Sequence, residues 1–181
     1  MQTTIFRNPE KLEISEVIDV FKDSLQSSKE FSTSEIEELA EIYAKNPVDK
    51  FIVTEELRND GAQGDIMIIA ENTDLYKSEV KGIKNLEKTD RLVLQEGDSF
   101  TGDHRIIPLE GTNYTVQKGT FCPSFLKGKA DWRDPQVPAV LFETDKPFLV
   151  FHREHGNIAL PKGKYMFCSQ LDPDTLSRMM D

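Results

Sequence analysis

Between residues 14 and 27 the apolar side chains Ile14, Val17, Ile18, Phe21 and Leu25 recur three or four positions apart. That spacing lines one face of a helix and leaves the charged residues on the other. A polar stretch, SSKEFSTS, follows. Ser34 then has the form of an N-cap, because Glu37 stands three residues on and completes a capping box. Ile36, Leu39, Ala40, Ile42 and Tyr43 carry a second amphipathic helix that stops near Asn46-Pro47. The pair reads as a helical hairpin with two apolar stripes to bury.

After Pro47 the periodicity shortens. Phe51-Ile52-Val53 reads as a strand or the start of a short helix, and Glu55 to Gly64 (EELRNDGAQG) as a polar connector. Beyond it come short β-like runs: Asp65–Ala70, Arg91–Leu94, His104–Leu109, Asn113–Val116, Val137–Glu143, Pro147–His152, Asn157–Leu160 and Tyr165–Ser169. Asn72-Thr73-Asp74, Glu96-Gly97-Asp98, Glu110-Gly111, Thr144-Asp145-Lys146 and Pro161-Lys162-Gly163 separate them as turns. Short strands at this spacing predict an antiparallel β-sandwich or small barrel. The fold class is therefore α+β, mainly β. Residues 1–60 form a helical appendage, opened by an extended lead-in, and residues 61–181 form a β-rich domain that ends in a short helix after Asp172-Pro173.

Eleven Phe, four Tyr and one Trp in 181 residues supply a core despite a charged fraction of 30%. No apolar run is long enough to span a bilayer. The start, MQTTIFRNPEKLEI, lacks the regions of a signal peptide, so a cytoplasmic location is expected. Cys122 and Cys168 are too few for a disulfide framework and lack C-x-x-C spacing, so both are expected to be reduced thiols. The net charge of −10 repels phosphate backbones and disfavours non-specific nucleic-acid binding. It suits docking to a protein partner, for which the N-terminal helices are the expected surface.

The chain has three histidines, and all lie in two turn-like clusters: Gly102-Asp103-His104-Arg105 and His152-Arg153-Glu154-His155-Gly156. On one uninterrupted strand His152 and His155 would face opposite ways. They converge only if the strand ends and the chain turns, and Gly156-Asn157 supplies that turn chemistry. With His104 they would offer a divalent metal (zinc, or iron or manganese) three neutral imidazoles, with Asp103 or Glu154 as an added carboxylate. The metal would serve a hydrolytic or regulatory role, with phage- or host-derived nucleic-acid-linked molecules as candidate substrates. The same rings support a second reading, metal-independent RNase-like cleavage by a base and an acid, with Lys162, Lys164 or Arg153 stabilising charge. The runner-up to the metal reading, ahead of cleavage, is a non-enzymatic adaptor in which the acidic surface and the helices dock a partner and the histidines only order turns. Phosphate-binding Gly-rich loops and G-x-S-x-G elbows are absent.

Three stretches carry a resemblance. Gln63-Gly64-Asp65-Ile66-Met67-Ile68, Thr101-Gly102-Asp103-His104 and the run from His152 to Tyr165 (HREHGNIALPKGKY) are similar to motifs of a family of small, largely uncharacterised bacterial and phage-associated proteins. Those motifs are Q-G-D-hydrophobic, T-G-H-H and H-x-E-H-G-x-I-x-L-P-x-G-x-Y. The resemblance covers residues 63–181 and implies a β-rich domain with a shared site, without naming an activity. This chain carries Asp103 where the family pattern has a histidine, which implies a harder ligand set if those positions bind metal.

Overall fold

A computed structural model describes residues 3–6, 14–46, 51–54, 61–96, 103–124, 127, 136–153 and 155–170. The helix expected after Asp172 lies outside them. In chain order the elements are β1 (Thr3–Phe6), α1 (Ile14–Gln26), α2 (Thr33–Lys45), β2 (Phe51–Thr54), β3 (Gly61–Gln63), β4 (Ile66–Ala70) and α3 (Asp74–Glu79). Then come β5 (Lys84–Lys88), β6 (Val93–Gln95), β7 (His104–Pro108), β8 (Tyr114–Phe121), β9 (Val137–Thr144), β10 (Phe148–His152), β11 (Gly156–Leu160) and β12 (Gly163–Ser169). They build two six-stranded sheets, β1-β2-β11-β10-β7-β6 (sheet A) and β3-β4-β12-β9-β8-β5 (sheet B). Among these pairings only β2 with β11 is parallel. The fold is mainly antiparallel β, with helices ahead of the sheets, as the periodicity predicts.

Alternating strand residues from both sheets meet in the central core, where Ile68, Ile106, Val140, Phe142, Phe148, Val150, Ile158 and Phe167 interdigitate. Sheet A is covered on its outer face by α1 and α2: Phe21, Leu25 and Leu39 pack with Leu109, Leu149 and Ala159. Sheet B is covered by α3 and the turn after it, where Leu75, Tyr76 and Ile83 pack around Ile69, Met166 and Cys168. Apolar residues of both helices of the hairpin are thus used on sheet A. No helix among the described residues is long and apolar enough to cross a membrane.

Three local expectations are corrected. The N-cap of α2 is Ser32, two residues before Ser34, and Glu35 closes the capping box: the Ser32 N–H donates to Glu35 Oε2 at 2.7 Å. Both serines have a glutamate three residues on, and the residue before the cap decides between them. Phe31 precedes Ser32 and shares a buried cluster with Ile36, a hydrophobic staple that Thr33 before Ser34 cannot make. The polar connector is shorter than read, because Gly61–Gln63 pairs with β4. Asn72-Thr73-Asp74 is more than a turn: Thr73 caps α3 by accepting the Tyr76 N–H at 3.1 Å.

Candidate metal centre

Several strands finish together at one end of the sandwich. Phe148 and Val150 of β10 face the inter-sheet core, so the next inward position on that strand is His152. On β7, Ile106 faces the same core and His104 lies two residues before it. The β7–β10 register, with Arg105 opposite Phe151, sets the two imidazoles side by side, their centroids 4.0 Å apart. Both histidines are 2% exposed.

His155 comes from the loop of the β10–β11 hairpin. His152 pairs with Gly156, which takes φ +83°, so the loop closes with a residue in the left-handed region that glycine adopts without strain. The turn folds His155 back over His152, rings 4.5 Å apart and within 17° of parallel, and 5.7 Å from the ring of His104. His155 is half-buried and forms the solvent side of the group. One ring nitrogen from each histidine lies within 4.8 Å of the other two. Asp103 is exposed and stands outside this cluster, and Glu154 lies outside the described residues.

The partner behind His104 was not singled out as a site residue from the sequence. Asp65 occupies the two-residue turn between β3 and β4, where Gly64 takes φ +56°, the glycine-first form of a type II′ hairpin turn. Gln170 pins this turn, its N–H donating to Asp65 O at 2.7 Å and its side-chain amide to Gly64 O at 2.6 Å. From there the Asp65 carboxylate crosses between the sheets, with Oδ1 3.2 Å from His104 Nε2. Its other oxygen accepts from Gln95 Nε2, and Ser169 Oγ donates to Gln95 Oε1 at 2.6 Å. Asp65, Gln95 and Ser169 are all buried.

Burial, followed by the neighbouring rings of His152 and His155, pushes the pKa of His104 down from 6.5 to about 3. Asp65 Oδ1 lies against Nε2 of this ring. Neither cysteine is in a disulfide, and both are buried. Burial, with the charge of Glu79, pushes the Cys168 thiol up to about 12, so it is no thiolate near neutral pH. Lys164 is taken up by Glu143 at 3.3 Å.

A family model described as Domain of unknown function (DUF8820) matches residues 62–170, more than half of the chain. The chain belongs to this family. No curated protein and no solved structure matches it. The DUF8820 segment begins one residue before Gln63 and ends at Gln170, so it holds the three histidines together with Asp65, Gln95 and Ser169. Membership of an uncharacterised family agrees with the resemblance drawn from the motifs. The same motifs held the missed signal: Asp65 is the acidic residue of Gln63-Gly64-Asp65.

The depressed pKa of His104 has a pH consequence for this DUF8820 domain. The unfolded chain binds a proton near pH 6.5 that the folded chain refuses until about pH 3. The contribution of the neutral ring is therefore complete above 6.5 and is lost as pH falls. In the presence of a chelator, stability is expected to drop by about 2 kcal/mol between pH 7 and pH 5 from this group alone. Urea unfolding of wild type and His104→Gln at the two pH values checks this. Equal pH slopes in both proteins would contradict it.

Proposed function

We propose that this DUF8820 protein binds one divalent transition metal through His104, His152 and His155 and uses it as a hydrolytic or regulatory centre. The observation that supports this most is the gathering of three imidazoles from two strands and a loop, their nitrogens within 4.8 Å. Three neutral imidazoles suit zinc or iron and leave a further coordination position for water or substrate. Nitrogens around a tetrahedral ion would lie roughly 3.4 Å apart, so loading would ask the widest pair, within 4.8 Å, to close by up to about 1.4 Å. His155 is half-buried on its loop.

Asp65 behind His104 is the carboxylate–imidazole pairing that orients a metal-ligating ring and raises its basicity. His152 Nδ1 accepts the His155 N–H at 3.2 Å. Ligation through that atom gives up a hydrogen bond worth about 1 kcal/mol, small beside the affinity of a three-histidine site. A metal held there would act as a Lewis acid and lower the pKa of its bound water. Cleavage by paired imidazoles without metal needs a ring that titrates near neutral pH. His104, held near 3, is not such a ring and could not serve as one of that pair.

Calorimetric titration of tag-free, chelator-stripped protein with zinc tests the reading. One equivalent per chain, reversed by EDTA, is expected. Uptake far below one equivalent with zinc, iron and manganese alike would refute it.

A further inference from the structure

We infer that Gln95 and Ser169, neither of which touches the metal position, are positioning residues that make His104 present Nδ1 to the ion. This rests on the metal reading above. A neutral imidazole has one donor nitrogen and one acceptor nitrogen, and the ring has nearly the same shape either way. Something outside the ring has to specify which is which. At His104 that is Asp65, with Oδ1 3.2 Å from Nε2.

A carboxyl group can accept on both oxygens or, when protonated, donate from one. The second oxygen of Asp65 accepts from Gln95 Nε2. As a carboxylate Asp65 accepts on both sides, and His104 Nε2 then carries the proton. The lone pair left on the ring is at Nδ1.

Gln95 could be reversed by a half-turn of its amide at no cost in shape. Reversed, its oxygen would face Asp65, acceptor against acceptor. In the orientation present, Gln95 Oε1 accepts from Ser169 Oγ at 2.6 Å; the hydroxyl could serve either orientation, so the carboxylate turns the amide donor toward itself and Ser169 anchors the far end of the amide. Gln95 also pairs with His104 in the β6–β7 register, so the residue that orders the carboxylate sits beside the ring that the carboxylate orders. Ser169 is the next inward position of β12 after Tyr165 and Phe167, and Gln95 is 9% exposed. The chain Ser169–Gln95–Asp65–His104 thus runs from sheet B to A, back to B and again to A, across the end of the core.

A network that merely closed the sandwich would leave the tautomer of His104 and the metal affinity uncoupled from Gln95. Long-range ¹H–¹⁵N spectra of histidine-labelled, metal-free protein are expected to show His104 protonated at Nε2. On adding zinc, the Nδ1 resonance should be the one that shifts. In Gln95→Leu, zinc affinity should fall 10–100-fold, and in Ser169→Ala several-fold, with Ser169→Thr returning it toward wild type. A proton on Nδ1 of His104 in the wild type would overturn the inference, as would unchanged affinity in folded Gln95→Leu. Should Gln95→Leu fail to fold, the Ser169 pair and the wild-type spectrum decide. Absence of zinc binding by the wild type would sink the metal reading, whereas zinc binding with the wrong nitrogen shifted would sink this inference alone.

Discussion

The His152→Ala, His155→Ala double variant is expected to lose the whole stabilisation that zinc confers on the wild type. A ligand bound only by the folded state stabilises by about 2.7 kcal/mol when its free concentration is 100 times Kd. For a chain of this size that corresponds to roughly 5–11 °C in Tm. The double variant retains His104 as one ring of the three and cannot hold an ion with comparable affinity. His152 is buried, so its removal also lowers Tm without metal. The decisive quantity is accordingly the difference in Tm between zinc and EDTA, measured for each protein. A difference of equal size in wild type and double variant would mean that the ion binds elsewhere.

Phe148→Ala is expected to be the most damaging single truncation in the core, at about 3–5 kcal/mol. Phe148 is fully buried at the start of β10 and stands nearly edge-on to three other rings. The centroids of Phe142, Tyr165 and Phe167 lie at 4.8, 5.3 and 6.5 Å, with planes crossed by 63°, 76° and 78°. Such pairs add to the area buried, because the positive edge of one ring meets the negative face of another. Strands on both sides hold the site open as a cavity: β10 is paired to β7 and to β11. Domains of this size have only about 5–15 kcal/mol in total, so the variant should unfold at a much lower urea midpoint. Leu86→Ala, on an exposed strand, is the control and should stay within about 0.5 kcal/mol. A Phe148→Ala cost below 1 kcal/mol would mean that the two sheets do not pack as described.

How far the sequence could be read depended on which faces of each element are covered. Strands β7 and β9, with partly alternating burial, carry the period of two that marks them. Strands β10, β11 and β12 are buried almost throughout, because sheet A has helices behind it and sheet B has α3. Their apolar runs were legible only through the turn residues on either side. Every residue of β5 is exposed, so Lys84–Lys88 offered no pattern at all. Helix α3 has six residues, too few to show a helical period behind its Thr73 cap.

The histidines were legible for a different reason: they are rare, and glycine and turn chemistry flanked them. That Asp103 would stand outside the cluster was not legible, since neighbouring strand residues point to opposite faces and the strand start was unknown. Asp65, Gln95 and Ser169 are ordinary polar residues until the register of four strands places them in a line.

One pairing has a consequence for the family as a whole. The only parallel pairing among the described strands, β2 beside β11, draws β2 from outside residues 62–170, where α1 and α2 also lie. A polypeptide trimmed to the matched segment would keep every side chain of the histidine group. It would also turn Leu109, Leu149 and Ala159 toward water and bare one margin of β11. What descends as a block and what stays dry as a block therefore have different outlines. Any cousin built without a comparable front end has to shelter that wall with something else.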